Sequence, residues 1–147
     1  MDEPDIEDNI ILYVDAGTRN NGQRGKQNTI IVICDKFGTV LIEKWIGDFT
    51  NNEGEILAIV SALEDIAPEE PKELYSDSTI AVNWATNGWK PKLREKHRKA
   101  VGDALNARLA GFIEKAGTLL LETNSNIEWI SRDHNLAGHY TEKTYSI

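Results

Sequence analysis

Three acidic residues stand where folding alone does not call for a carboxylate. Asp15 closes the apolar run Ile10-Ile11-Leu12-Tyr13-Val14, which reads as a buried strand, and an unpaired carboxylate there is costly. The alternative is a turn aspartate bonded to its own backbone. Glu55 shares a helical stripe with Ile59, Ala62 and Ile66, the stripe that a helix presents to a sheet. It is either held at the helix end by the dipole with its stem on apolar surface, or kept for chemistry. Asp77 closes Leu74-Tyr75-Ser76 just before another helix; it could cap that helix, but Ser78 or Thr79 could serve equally.

The three together carry more than each alone. If the strands of Asp15 and Asp77 are neighbours and the helix of Glu55 crosses them, the carboxylates converge. Crowded like charges raise one another's pKa unless a cation intervenes. Clustered hard oxygens suit magnesium, with manganese as a substitute. Such a cluster can hold two ions about 4 Å apart, one activating water and the other stabilising the leaving oxygen of a phosphodiester.

The elements that must position these acids follow from the hydrophobic pattern. Residues 10–14, 29–34 and 39–46 are short and β-rich, with a polar loop from Thr18 to Gln27 and a hairpin turn at Asp35-Lys36-Phe37-Gly38. They form an antiparallel meander. Ile56, Ile59, Val60 and Leu63 then switch to helical spacing. Thr50 and Glu53 fit a capping box, and Pro68 and Pro71 close the helix. Glu73–Asp77 is a fourth strand, followed by a helix to about Asn87 that Gly88 ends, and another from Leu93 to about Lys115. Residues 127–130 give a fifth strand and 136–146 a last helix. The expected class is α/β, a mixed five-stranded sheet in the order βββαβααβα. Residues 1–8 read as an acidic tail and 9–147 as one domain.

Composition narrows the setting. The 147 residues, 40% hydrophobic and 27% charged, are those of an ordinary globular protein. The longest wholly apolar run is five residues, Ile30 to Cys34, too short to span a membrane. With no secretory signal and a single cysteine, the expected compartment is the cytoplasm. The net charge of −8 argues at first against nucleic acid. Yet five acids crowd the first eight residues, and without them 19 acids face 16 bases. Lys90, Lys92, Arg94, Lys96, Arg98 and Lys99 are opposed only by Glu95, which is either a footprint for a polyanion or a solvated helix face.

The stretches Tyr13-Val14-Asp15-Ala16-Gly17, Thr50-Asn51-Asn52-Glu53-Gly54-Glu55-Ile56 and Leu74-Tyr75-Ser76-Asp77-Ser78 resemble the ordered motifs of type 1 ribonuclease H. The resemblance runs over about residues 9–146 and implies the ribonuclease H-like fold. It also implies an endonuclease that cuts the RNA strand of an RNA–DNA hybrid with two Mg²⁺ ions, leaving a 5′-phosphate and a 3′-OH. Asp15, Glu55 and Asp77 would be the metal ligands. Asn21, Thr50, Asn51 and Asn52 would face the hybrid, since amides and hydroxyls can contact 2′-OH groups and phosphates without reading bases. Trp89, Lys90 and Lys92 fall in a segment similar to the family's basic protrusion, which grips the DNA strand. A monomer without a small-molecule cofactor, membrane contact or additional N-terminal hybrid-binding module is expected.

One position departs from the family. Its usual fourth carboxylate, in a pattern Arg-Glu-x-Asn-x-x-Ala-Asp, is His139 here, at the end of Arg132-Asp133-His134-Asn135-Leu136-Ala137-Gly138-His139. Imidazole is a better ligand for manganese than for magnesium. His139 could serve as a softer ligand, Asp133 or Glu142 could replace the acid, or the site could be weakened. His134 could assist product departure or be a plain loop residue. Two other readings follow: a non-catalytic module that binds hybrid or RNA, and a nuclease of the same fold acting on DNA junctions or ends. Retention of all three acids argues against the first, and the Thr50-Asn51-Asn52 motif against the second.

Overall fold

Strand β1 (Ile10–Arg19) sorts its side chains by parity, because successive residues of a strand face opposite ways. Leu12, Val14 and Ala16 join the main core with helix α1 (Asn51–Asp65), whereas Tyr13 packs into a second, smaller core with Ala137. The computed structural model describes residues 9–88 and 103–147. In it β2 (Asn28–Asp35) and β3 (Val40–Gly47) extend β1 as the expected antiparallel meander. β4 (Lys72–Ser76) pairs with β1 in parallel, and β5 (Asn126–Trp129) pairs with β4 in parallel. The sheet order is β3-β2-β1-β4-β5. β2 is buried from Thr29 to Cys34, covered on both faces, so its sequence is continuously apolar rather than alternating.

The helices follow as α2 (Thr79–Asn87), α3 (Asp103–Glu122) and α4 (Leu136–Tyr145), the last preceded by a 3₁₀ turn at Arg132–His134. The expected element order is thus observed. Most boundaries shift by a residue or so, and three shifts have a structural reason. β1 continues to Arg19 because Thr18 and Arg19 still pair with Thr29 and Asn28, and the Thr18 and Thr29 hydroxyls lie 2.7 Å apart. β4 ends at Ser76, so Asp77 lies just past the strand rather than in it. α3 runs beyond residue 115 because the stripe Ile113, Ala116 and Leu120 continues into the core, and it closes where Asn124 turns to a positive φ. The predicted start of that helix lies outside the described residues.

Lys72, at the start of β4, is fully buried, an unusual place for an ammonium group. Its Nζ donates to the carbonyls of Ala67 at 2.6 Å and Glu70 at 3.0 Å, just beyond the end of α1, whose last turn carries no basic residue. A buried cation is tolerated only when its donors are satisfied. Lys72→Met would remove both charged bonds, leaving the Ala67 carbonyl with the Glu70 N–H alone. It should lower stability by about 2–3 kcal/mol, read as an earlier midpoint in urea unfolding; an unchanged midpoint would show that the ammonium caps nothing.

Candidate active site

The pairing of β1 with β4 ends at Val14 opposite Ser76. The next residues along the two strands are Asp15 and Asp77, so register alone sets them side by side. They lie where the parallel pairing of β1 with β4 ends, at the point where the strand order reverses from β1-β2-β3 to β4-β5, the usual binding crevice of open α/β sheets. Past that point no described strand pairs with β1 on its β4 edge, and the Ala16 N–H is left over. Glu55 takes it: Oε1 accepts from Ala16 N at 3.2 Å.

Two local features bring Glu55 there. The capping box is formed, with Thr50 Oγ1 accepting from Glu53 N at 3.1 Å and Glu53 Oε1 accepting from Thr50 N at 3.0 Å. Glu53 also takes a two-pronged grip from Arg108 of α3, at 3.0 and 2.9 Å. Gly54 then lets the first turn of α1 press onto the sheet; a Cβ there would sit 2.5 Å from Thr29 Cγ2 and 3.0 Å from Ala16 Cβ. Asp77 is fixed from β5, where Trp129 Nε1 donates to its carbonyl at 3.1 Å, while Ser78 caps α2. One of the two expected cap candidates therefore serves, and the Asp77 carboxylate is free of that task.

Ligand oxygens of Asp15, Glu55 and Asp77 all lie within 4.8 Å of one another. Asp15 and Glu55 are buried. Burial pushes Asp15 up to about 6, against the pull of Arg132 and with the nearby charge of Asp77 adding to the rise. Glu55 is driven well above the ordinary range, first by burial and then by the charges of Asp15 and Asp77. Asp15 Oδ2 and Glu55 Oε2 are buried oxygens with no hydrogen-bond partner among the described residues. Buried carboxylate oxygens normally find donors. Three hard oxygen donors, two of them otherwise unpartnered, fit a divalent cation.

Two further residues complete the site, and the sequence reading passed over both. Asn135 is fully buried; its Oδ1 accepts from Ala137 N and Gly138 N, capping α4, while its Nδ2 donates to Val14 O and Asp77 Oδ2, each at 3.0 Å. An asparagine before a helical pattern could have signalled the cap. Arg132 Nη1 donates to Asp15 Oδ1 at 2.8 Å and to Asp77 Oδ2 at 3.0 Å. No spacing rule exposes that contact, since Asp15 lies 117 residues away.

The remaining expected residues fall in two groups. Asn21 Oδ1 accepts from Asn51 N at 3.0 Å, and Thr18 Oγ1 donates to Asn51 Oδ1 at 3.1 Å, so the β1–β2 loop and the head of α1 form one surface with the exposed Asn52. His139 is exposed on the first turns of α4 and does not join the three-acid cluster. Asp133 and His134 in the 3₁₀ turn and Glu142 on α4 are exposed as well, and neither acid joins the cluster. Trp89, Lys90 and Lys92, like the acidic tail, lie outside the described residues.

A mixed sheet of this order, with acids gathered where the pairing of β1 and β4 ends, is that of the ribonuclease H class of α/β folds. The chain belongs to the ribonuclease H family, whose model, described as RNase H, matches residues 7–141. A ribonuclease H of Clostridium botulinum is 36% identical over 98 residues, covering 55% of this chain and 61% of that protein. The match thus spans about three-fifths of the relative's length. Among solved structures, a ribonuclease H1 isolated from compost, LC11-RNase H1, is 27% identical with a TM-score of 0.60, covering 92% of this chain and 96% of that one. The same enzyme in complex with an RNA/DNA hybrid is 28% identical with a TM-score of 0.51, covering 86% and 88%.

Proposed function

We propose that the chain is a metal-dependent endonuclease that hydrolyses the RNA strand of RNA–DNA hybrids, leaving 5′-phosphate and 3′-OH ends. The observation that carries this reading is the cluster of Asp15, Glu55 and Asp77 with its two unpartnered buried oxygens. Family membership and the hybrid bound by LC11-RNase H1 support the substrate. Asp15, Glu55 and Asp77 would hold Mg²⁺, two ions in the full site, or Mn²⁺ in its place. Bound there, such ions supply a water nucleophile of lowered pKa and charge stabilisation for the leaving oxygen.

The protein's own part is placement. Asn21 and Asn51 spend their carbonyl oxygens on each other's segment and on Thr18, which keeps their amide NH₂ groups as donors. Thr50, as N-cap, fixes the turn that presents them. Asn51 precedes Glu55 by about one helical turn, so a strand held by these amides at its ribose hydroxyls and phosphates runs past the acids. Contacts of this kind position a backbone and tell RNA from DNA. Lys90, Lys92 and Trp89 would serve the DNA strand. His139 stands outside the acid cluster, so in this reading three carboxylates suffice to bind the cation. Localisation in the cytoplasm and action as a monomer complete the proposal. Among the described residues, no helix is long and apolar enough to cross a membrane.

A hybrid labelled on either strand, incubated with Mg²⁺ and then with Mn²⁺, tests the reading. Internal cuts confined to the RNA strand are expected. Binding without cutting under either ion would instead make the chain a hybrid-binding module, and cuts in the DNA strand would make it a different nuclease of this fold.

A further inference from the structure

Arg132 already bonds two of the three carboxylates that a cation would use. One nitrogen, Nη1, bonds to an oxygen of Asp15 and to an oxygen of Asp77, at 2.8 and 3.0 Å. The guanidinium lies against Gly138 of α4, where an added Cβ would stand 3.0 Å from Arg132 Cζ and Nη1 and 3.1 Å from Nε. The helix surface is therefore cut away where this side chain passes. Asp15 is fully buried, while the Arg132 side chain is 38% exposed, so the arginine reaches in from the rim and has a route out. A guanidinium does not lose its proton in a protein. It can leave these oxygens only by being displaced.

We propose that Arg132 is a displaceable counterion that sets the divalent-cation affinity of the acid cluster. In the metal-free protein it neutralises the Asp15–Asp77 pair and holds the two strand ends in register. A hard divalent cation entering among the same carboxylates meets a fixed positive charge already bonded to Asp15 Oδ1 and Asp77 Oδ2, so its entry opposes and loosens both arginine bonds. The affinity for metal is thus lower than the bare carboxylates would give. This inference rests on the metal-dependent reading above and assigns to this chain's own residue the control of its metal threshold.

Calorimetric titration of the whole protein with Mg²⁺ and with Ca²⁺ tests it. Arg132→Gln should bind metal about ten-fold tighter, a change of the size usual for two coupled binding equilibria, while Arg132→Lys, which keeps the charge, should fall between that and the parent. Side-chain ¹⁵N NMR of the unaltered protein gives a second readout that does not depend on either variant folding. The Arg132 guanidinium signals should be protected from exchange without metal and lose that protection at saturating Mg²⁺. Equal or weaker metal binding by Arg132→Gln, or an Arg132 signal that metal leaves unchanged, overturns the counterion role. Absence of metal binding in parent and variant alike would instead remove the reading on which the role rests.

Discussion

Asp77→Asn is expected to reduce cleavage of the RNA strand by about 10³-fold or more, because a ligand carboxylate supports several kcal/mol of transition-state charge stabilisation and each 1.4 kcal/mol is a factor of ten. The fold should survive. An asparagine carbonyl can still accept from Asn135 Nδ2, whose other bond to Val14 O is untouched, so α4 stays docked on β1. Hybrid affinity, measured by fluorescence anisotropy with Ca²⁺ present, should change little, since it comes from amides and basic side chains rather than from an acid beside a phosphate. The measurement is a denaturing gel of 5′-labelled RNA annealed to DNA, scored against urea unfolding of the same preparation. A variant that is well folded and cuts within ten-fold of the parent would end the ligand role of Asp77. One that loses binding as well would mean that the carboxylate shapes the substrate surface instead.

The sequence carried the strands, the capping box and the ordered motifs because each depends on near neighbours. Ile56, Ile59, Val60 and Leu63 announce a helix whatever lies across from them. The convergence of the three acids was conditional on two strands being adjacent, and the register of β1 with β4 meets that condition one step beyond Val14 and Ser76. What stayed hidden depends on distant partners. Gly54 looks like a weak helix position until Thr29 and Ala16 are seen against it. Lys72 falls just ahead of the expected strand, with nothing local to mark it as buried, until the carbonyls beyond the end of α1 are seen around its ammonium group. Thr18 and Arg19 resemble a loop because small and polar side chains carry no alternation, yet the ladder to β2 holds them. Arg132 was visible only as the first residue of a motif valued for its last. The burial of the acids also explains why local rules left two readings open for each: the cost of keeping Asp15 and Glu55 in the core belongs to the site, not to either element.

That cost makes the metal-free protein sensitive to pH in an unusual direction. Burial raises Asp15 to about 6 in the folded protein and drives Glu55 well above its ordinary range; in an unfolded chain such groups titrate near about 4. Between those limits the native state binds more protons than the unfolded one, so these groups make stability fall as pH rises. Below about pH 4 both states are protonated and the effect vanishes. At pH 7 the ionised Asp15 alone should cost about 3 kcal/mol. The check is urea unfolding in chelator from pH 4 to 7.5 for the parent and Asp15→Asn. The variant should be nearly equal to the parent at the acid end and more stable by that amount at the neutral end, and the gap should shrink when Mg²⁺ is added to the parent. Metal taken up at pH 6–7 should also release protons, seen as a dependence of the binding heat on buffer ionisation enthalpy. A parent–variant difference that does not vary with pH would show that Asp15 is ionised at no cost, and the two unpartnered oxygens would then need another explanation than a cation site.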